Sequence, residues 1–377
     1  MRVKLLILLV ISFVFISVGC RNKSHNPTSN CISQSKYIEV KHAKGFSIST
    51  LSNGFRLSIL NPWQGAQNEI QSFCFSYASN SISDSCINLP LNRIVCLSTT
   101  HLAFLESLGE LDRVVGVSGG KYISNEYILS RISKGEVVDL GYEQSLNYEL
   151  LLSIKPDIVF AYGVGSESLG YLNRIRELGV KVVIIGEYLE STPLAKAEWI
   201  KVFGAMLGKP AEADSIFSRI ESEYIAVSSR FRSSPKKPKV FINLPWNDVW
   251  YFPGNENYMA TLISDAGGDY LLSNLKGNET HAFSFESAIE KGVNADVWIN
   301  LGSYNSVEQV LGDFPRLKVL PVMKSGNIFN NNKRISPEGG NDIFESGVMN
   351  PHIILKDLVK IFYPDSLEHS LVYYKKL

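Results

Sequence analysis

The sequence lacks any long run of like charges. Lys and Arg together number 37, and Asp and Glu together also number 37, so the formal net charge is zero. A protein that binds nucleic acid normally carries a basic patch or stripe, and this sequence shows none. We therefore expect no nucleic-acid partner.

Three common catalytic and nucleotide-binding motifs are also missing. The sequence has no G-x-G-x-x-G after a strand, no G-x-x-x-x-G-K-[ST] and no H-E-x-x-H. These absences argue against a nucleotide-binding enzyme and against a zinc protease. An enzyme on a two-lobed α/β scaffold stays as the alternative to a binding protein, and a purely structural surface protein is the third class.

Cysteine is scarce, with five residues and no C-x-x-C pair, so a redox or zinc motif has no support. Cys74 and Cys86 flank a polar stretch and could close a hairpin in an oxidising compartment. Whether these two cysteines form a disulfide stays open at this level. Cys96 lies within an apolar strand pattern, where a buried free thiol is expected.

The apolar run at the amino terminus is too short for a membrane span of roughly 20 residues. Arg2 and Lys4 precede an apolar run from Leu5 to Val18, and this pattern is typical of a secretory signal. The end of the run, Ser-Val-Gly before Cys20, resembles the lipobox of bacterial lipoproteins. We therefore expect a signal peptide over 1–19, a lipid on Cys20 and a tether over 20–37. The protein would be exported and anchored to a bacterial membrane, facing the periplasm.

Alternating β-like runs follow the tether. "GFSISTLSNGFRLSILNPW" places an Asn-Gly pair between two such runs, which is a strong hairpin signal. "EIQSFCFSYA" continues as a third strand. We interpret residues 38–90 as a β appendage, a hairpin or meander of unknown role.

From Arg93 onward, short apolar strands alternate with helical segments, which predicts parallel sheets and an α/β fold. "NYELLLSIKPDIVFAYG" and "SFESAIEKGVNADVWINLG" repeat one helix–strand unit, one in each half. A helix of about twenty residues after Pro210 separates the halves, because apolar residues recur there at steps of three and four. The predicted fold is two similar α/β lobes bridged by a long helix, with a ligand cleft between them. The N-terminal lobe covers 91–190, the linking helices 191–235 and the C-terminal lobe 236–377.

Several segments together resemble the substrate-binding lipoproteins of ABC importers for iron–siderophore complexes and cobalamin. They are "RIVCLSTTHLAFLESLGELDRVVGVS", "SLNYELLLSIKPDIVFAYG" and "EWIKVFGAMLGKPAEADSIFSRIESEY". The resemblance runs from about Arg93 to Tyr363 and leaves the appendage outside. It implies a monomeric binding protein, not an enzyme, that captures an iron–siderophore complex and delivers it to an ABC permease of the inner membrane. Cobalamin is the alternative ligand, and haem is the third.

The same resemblance implies a role for one glutamate in each lobe. Glu149, in "NYE", and Glu286, in "SFE", match the positions that dock such receptors onto the permease. Taken alone, each is better explained as a solvated glutamate in the first turn of a helix, where the helix dipole favours a negative charge, and only the repeat together with the resemblance favours the docking role.

Ligands of α/β sheets bind beyond the carboxyl ends of the strands, so residues after each predicted strand are candidates for the cleft. They are rich in aromatic side chains with a few polar ones, which suits a large planar or amphipathic ligand. No cofactor is expected apart from the chelated metal of the ligand. A bare metal site is not expected either, because only two histidines fall in the candidate loops. The candidates are Thr100, His101, Lys121, Tyr122, Tyr142, Tyr162, Trp246, Trp250, Tyr251, His281, Tyr304, Arg334 and Phe344.

Overall fold

A computed structural model of the chain describes residues 38–77, 86–142, 145–164 and 169–377. The predicted signal peptide, the lipidation site Cys20 and the predicted tether lie outside these residues. Within the described ranges, no helix has both the length and the apolar character needed to cross a membrane.

The appendage contains a four-stranded sheet with the strands in sequence order. The first two strands form an antiparallel hairpin around Ser52 and Asn53, as the sequence predicts. Alternate residues on one face, such as Ile48, Leu57 and Phe75, are completely buried. The opposite face is exposed or half-buried and carries mainly serines, together with Arg56 and the exposed Leu60 and Ile70, so the sheet packs on the rest of the molecule through one side only. The strands are β1 (Phe46–Leu51), β2 (Gly54–Leu60), β3 (Ile70–Ser76) and β4 (Cys86–Asn88).

A disulfide joins Cys74 to Cys86. The two residues are register partners on β3 and β4, which run parallel to each other. The bond therefore links neighbouring parallel strands. The sequence had suggested a bond that closes a hairpin, and the structure corrects that suggestion. Cys96 is a buried free thiol, as predicted.

The N-terminal lobe is built on a parallel sheet in the order β7-β6-β5-β8-β9. The order reverses at β5, which has neighbours on both sides that come later in the chain. Its elements are β5 (Ile94–Cys96), α1 (Thr99–Ser107), β6 (Val114–Val117), α2 (Glu126–Ser133), β7 (Val138–Asp139), α3 (Tyr148–Ser153), β8 (Ile158–Ala161), α4 (Leu169–Glu177) and β9 (Val182–Ile184).

Three helices link the lobes: α5 (Pro193–Glu198), α6 (Ile200–Leu207) and α7 (Pro210–Phe231). Thr192 caps α5, since its hydroxyl accepts a hydrogen bond from the Ala195 amide. The long helix α7 is present as predicted, and its stripe at Ala213, Ile220 and Tyr224 is buried.

The C-terminal lobe repeats the plan, with a sheet in the order β12-β10-β14-β15-β16 that is parallel except for β16. A separate two-stranded sheet, β11 with β13, lies beside it. The elements are β10 (Lys239–Ile242), β11 (Val249–Pro253), α8 (Tyr258–Asp265), β12 (Asp269–Tyr270), β13 (Thr280–Ser284), α9 (Phe285–Gly292), β14 (Val297–Ile299), α10 (Val307–Asp313), α11 (Pro321–Ser325), β15 (Ile328–Asn330), α12 (Pro351–Phe362) and β16 (Lys375–Lys376).

One continuous cluster of buried side chains runs through the appendage, the N-terminal lobe, the linking helices and the C-terminal lobe. A smaller cluster, which includes Leu151 and Val159, covers the other face of the N-terminal sheet. The lobes share the larger cluster because α5 to α7 bury apolar residues toward both of them. The predicted fold class is confirmed. The residue boundaries given for the signal peptide, the tether, the appendage, the linking helices and the two lobes stay predictions.

Two buried carboxylates, one in α5 and one in the segment that precedes it, fix the appendage to the rest of the molecule. Glu198 is completely buried and accepts hydrogen bonds from the amides of Lys41, His42 and Ala43 at 2.7–2.8 Å. Its charge is further compensated by Lys201, whose Nζ lies 3.1 Å from the carboxylate. Burying a carboxylate is costly unless it is paired and hydrogen-bonded, and Glu198 meets both conditions.

Glu190 provides the second attachment. Its Oε1 accepts hydrogen bonds from the Gly45 amide at 2.8 Å and from the Trp199 indole at 3.1 Å. The Trp199 ring is fully buried and lies against Phe46 of β1, with ring centroids 4.9 Å apart. The backbone of residues 41–45 is thus held by carboxylates, and the sheet that follows it is held by apolar packing.

The lobes also touch directly through a loop of the C-terminal lobe. The buried Glu345 carboxylate accepts a hydrogen bond from the Ser124 amide of the N-terminal lobe at 2.7 Å. Gly340 packs so closely on the Tyr122 carbonyl that a Cβ there would lie 2.4 Å from its oxygen. Burial, with a smaller contribution from the nearby acids Asp342 and Glu106, raises the pKa of Glu345 to about 7 against the opposing hydrogen bond from the Ser124 amide.

This pKa shift predicts a pH dependence of stability. The folded chain holds a proton on Glu345 that the unfolded chain has released, so the free energy of unfolding falls as pH rises from about 4.5 to about 7. The total loss is about 3 kcal/mol. The side chain introduced by Glu345→Gln is neutral at every pH, so we expect this variant to lack this part of the loss. Urea unfolding at pH 5 and pH 8 measures the free energy of unfolding of both chains.

Glu338→Gln is the matched control, because Glu338 is exposed in the same loop. It should lose stability between the two pH values as the wild-type chain does. Equal losses for the wild-type chain and for Glu345→Gln would contradict the assignment.

Candidate functional site

The carboxyl ends of the two parallel sheets meet at a cavity of about 790 Å³, here called the main cavity. This location agrees with the rule that ligands of open α/β sheets bind where the strand order reverses. The N-terminal lobe contributes residues after β5 and β6, and the C-terminal lobe contributes the larger share. The lining residues are Thr99, Tyr122, Ile242, Asn243, Tyr251, Pro253, Asn257, Met259, Thr280, Asn300, Gly302, Ser303, Asn331, Ile335, Gly339, Asn341 and Phe344.

Asparagine is the most frequent residue of this wall. Asn243 and Asn300 each follow an Ile at the end of two neighbouring parallel strands, in the repeated sequence Ile-Asn-Leu. Both residues adopt left-handed backbone conformations, with φ of 64° and 66°, which Asn tolerates better than most side chains. The sequence-based candidates missed these residues, although the repeated Ile-Asn-Leu was a signal that could have found them.

A buried amide holds the loop that carries Gly302 and Ser303. Asn330 is completely buried, and its Oδ1 accepts from the Leu301 amide at 2.8 Å. Its Nδ2 donates to the carbonyls of Gly302 and Tyr304 at 2.9 and 2.8 Å. The shape of this part of the main cavity therefore depends on one fully satisfied side chain.

Among the described residues, three aromatic rings reach the main cavity. Tyr122 comes from the N-terminal lobe, whereas Tyr251 and Phe344 come from the C-terminal lobe, and all three are exposed. Each was a sequence-based candidate, and the structure places all three on the wall. Contact between these rings and a ligand stays a prediction.

Two other candidates face the core and not the cavity. Trp250 is completely buried, and its indole donates to the Ile242 carbonyl at 3.1 Å. His101 is completely buried with its ring centroid 6.2 Å from those of Phe160 and Phe203, and burial lowers the pKa of its imidazole to about 3. The hypothesis of direct ligand contact is corrected for both, because neither side chain is accessible.

Thr100 and Tyr162 lie at the carboxyl edge of the N-terminal sheet beside the main cavity. The Thr100 hydroxyl donates to the buried Glu187 carboxylate at 2.6 Å, so it is already used within the protein. Burial raises the pKa of Glu187, with the Thr100 bond opposing this effect. The half-buried Tyr162 ring lies 6.3 Å from that of Tyr188.

The two cationic candidates are also engaged within the protein. The Lys121 ammonium lies over the rings of Tyr122 and Tyr142, at 5.0 and 5.3 Å from their centroids. Tyr142 thereby forms part of an aromatic pair with Tyr122, with centroids 5.7 Å apart. Arg334 is exposed and pairs with Asp342 at 2.8 Å. Neither cation lines the main cavity.

The remaining candidates lie on the C-terminal lobe outside the lining. Trp246 is 71% exposed at the turn between β10 and β11. His281 lies on β13, one residue beyond Thr280, and its ring nitrogen is 3.3 Å from the Lys276 carbonyl. Tyr304 donates to Asp313 at 2.7 Å, and this bond raises the pKa of the tyrosine to about 12.

Among the residues that the structure describes, none that lines the main cavity carries a formal charge, and the polar groups there are amides and hydroxyls. Within the described part of the chain, no three His, Cys, Asp or Glu side chains come together in a way that could hold a metal ion. The absence of a bare metal site stays a prediction.

One segment does match the G-x-S-x-G pattern of serine hydrolases, at Gly116–Gly120. Ser118 follows β6, and its hydroxyl donates to the Gly141 carbonyl at 2.7 Å. A nucleophilic serine needs a base as its hydrogen-bond partner. A carbonyl cannot remove the proton, so the match has no catalytic geometry.

Glu149 and Glu286 occupy equivalent places in the two lobes. Each is exposed in the first turn of a short helix, after a capping side chain, Asn147 or Ser284. Glu286 pairs with Arg316, whose guanidinium lies 4.2 Å from the Phe285 ring. This bond lowers the pKa of Glu286. The described residues show no ion pair for Glu149, so the two glutamates differ in their immediate partners.

Comparison with known proteins agrees with this architecture. The chain is 26% identical over 377 residues to an uncharacterized lipoprotein of Methanocaldococcus jannaschii, with 92% of this chain and 87% of that protein covered. It is 21% identical over 181 residues to the vitamin B12-binding protein of Salmonella typhimurium, which covers 48% of this chain and 65% of that protein.

A solved structure shares the fold. The apo form of the periplasmic heme-binding protein RhuT from Roseiflexus sp. RS-1 matches with a TM-score of 0.55 and 24% identity, over 73% of this chain and 99% of that one. The sequence profile of the periplasmic binding protein family matches residues 94–334, more than half of the chain. Members of that family bind solutes and are not enzymes, as the sequence analysis predicted for this chain. The chain belongs to the periplasmic binding protein family.

Proposed function

We propose that the main cavity binds an uncharged metal chelate with amide groups at its rim, and that a corrinoid fits best. The observation that carries this proposal is the uncharged, asparagine-rich wall. The acetamide and propionamide arms of a corrin ring are both donors and acceptors, as asparagine side chains are. The rings of Tyr122, Tyr251 and Phe344 offer faces to a planar macrocycle.

The uncharged wall of the main cavity argues against anionic ligands such as haem and ferric catecholate complexes. Haem carries propionates, and ferric catecholate complexes are strongly anionic. Burying such charges without a partner is costly. The nearest candidate cations, Lys121 and Arg334, are already engaged with tyrosine rings and with Asp342.

An iron–siderophore complex, the first expectation from the sequence, is the second candidate in a restricted form. Ferric hydroxamate complexes are uncharged and present oxygen acceptors that asparagine amides can reach. The same uncharged wall supports them. Of the two candidates, the corrinoid is favoured over the ferric hydroxamate by the 21% identity of the chain to a vitamin B12-binding protein.

The first test is a ligand panel. The full-length chain, purified in detergent, is titrated by calorimetry with cobalamin, a ferric hydroxamate, a ferric catecholate and haem. We expect one-to-one binding of cobalamin, and binding of the anionic ligands at least about 100-fold weaker, because an uncompensated buried charge costs about 3 kcal/mol or more. Tight binding of haem or the catecholate would contradict the proposal.

Two neighbouring aromatic residues separate ligand contact from folding. We expect Tyr251→Ala to weaken binding of the ligand about tenfold while leaving thermal stability close to that of the wild-type chain. Trp250→Ala should instead lower the free energy of unfolding by about 3–5 kcal/mol, because it leaves a cavity in the core. A stable Trp250→Ala chain with impaired binding would reverse these assignments.

We further propose that the two exposed glutamates dock the loaded protein onto an ABC permease. Glu149→Gln with Glu286→Gln should leave ligand affinity unchanged and abolish uptake in cells where this variant replaces the wild-type chain. Glu126→Gln is the matched control, since Glu126 is an exposed first-turn glutamate of α2. Weakened ligand binding with normal uptake would refute the docking role.

A further inference from the structure

The appendage reaches the carboxyl edge of the N-terminal sheet, the edge that also forms the main cavity. Its loop between β2 and β3 lies on the residues that follow β8. The Gln64 amide donates to the Gly163 carbonyl at 3.1 Å. A Cβ at position 163 would lie 2.9 Å from the Trp63 Cβ, so only glycine allows this approach. The loop is therefore held against the sheet edge.

A second cavity, of about 380 Å³, lies between this loop and both lobes. We call it the lateral cavity. Three parts of the chain form it: the appendage, the segment after β9 and the loop before β13 in the C-terminal lobe. Its lining residues are Lys44, Gly45, Leu60, Asn61, Trp63, Gly65, Ala66, Gly186, Leu189, Glu190, Ser191 and Asn278.

The two cavities lie side by side along the cleft. On the N-terminal lobe, Thr99 lines the main cavity and Gly186 lines the lateral cavity. The residues next to them, Thr100 and Glu187, are joined by a hydrogen bond of 2.6 Å. On the C-terminal lobe, Thr280 lines the main cavity, and Asn278, two residues earlier, lines the lateral one. A ligand that extends past this end of the main cavity therefore meets the appendage.

The lateral cavity differs from the main cavity in its chemistry. Trp63 is half-buried and presents an aromatic surface, and Leu60 and Leu189 also line this cavity. Lys44 is exposed and brings a positive charge. The Glu190 carboxylate is already used by the amides of residues 44 and 45 and by an indole, so its negative charge is compensated within the protein.

We propose that the lateral cavity is an accessory subsite for an arm of the ligand that combines an aromatic base with a phosphate. For a corrinoid, this arm is the nucleotide loop, which a complete cobalamin has and cobinamide lacks. Trp63 stacks on the base, and Lys44 neutralises the phosphate. The inference rests on the proposed corrinoid function and assigns a role to the appendage.

The test compares cobalamin with cobinamide, which share the corrin ring. We expect the wild-type chain to bind cobalamin at least about tenfold more tightly than cobinamide. Trp63→Ala and Lys44→Met should each remove most of this preference while changing the affinity for cobinamide by less than about twofold. Since Trp63 also packs on the sheet edge, thermal unfolding verifies that each variant is folded.

Asn278→Trp provides an independent variant, because Asn278 is exposed on the opposite wall. Filling the lateral cavity from that side should impair binding of cobalamin and spare cobinamide. Tyr77→Ala is the matched control. It removes an exposed aromatic ring of the appendage at the other end of β3, and it should leave the preference intact.

The outcomes separate this inference from the proposed function. If the wild-type chain binds both corrinoids with equal affinity, or if the folded variants lose affinity for both by the same factor, the subsite is refuted and the corrinoid function stands. If the wild-type chain binds neither corrinoid, both proposals are overturned.

Discussion

The position of every residue in the cleft depends on one constraint. Both lobes are attached to the linking helices through a shared apolar core. Helices α5 to α7 bury side chains such as Trp199, Phe203 and Tyr224 toward the rest of the molecule. This packing keeps the carboxyl edges of the two parallel sheets facing each other. Without it, residues that follow β5 and β14 would have no common cavity.

A second connection limits how the lobes can move. The loop that supplies Asn341 and Phe344 to the main cavity also crosses to the N-terminal lobe, through Glu345 and Gly340. Rigid helices and a direct contact at the cleft together favour small movements over wide hinge closure. The ligand then meets a largely preformed site, and little binding energy is lost to rearrangement of the protein.

The main cavity and the lateral cavity differ in the chemical character of their lining residues. The main cavity has amides, hydroxyls and aromatic rings, while the two candidate cations beside it, Lys121 and Arg334, are engaged with tyrosine rings and with Asp342. The lateral cavity adds an indole and an ammonium group that belong to the appendage. The buried carboxylates Glu190 and Glu198 hold the appendage in place, so the second environment depends on their hydrogen bonds.

The sequence by itself determined the α/β class, the repeated lobes, the long helix α7 and the hairpin at Ser52–Asn53, since each follows from local periodicity and turn chemistry. It also placed Tyr122, Tyr251 and Phe344 at the cavity, because residues after strands gather at one sheet edge.

Only the tertiary structure decided which neighbours face the cavity. Trp250 and Tyr251 are adjacent and similar in character, yet successive strand residues point to opposite faces, and the pattern does not state which face is buried. The position of the appendage on the molecule was likewise decided only by the tertiary structure. Its contacts with Glu190 and Glu198 join residues more than 140 positions apart in the chain, and no local pattern encodes such a distance.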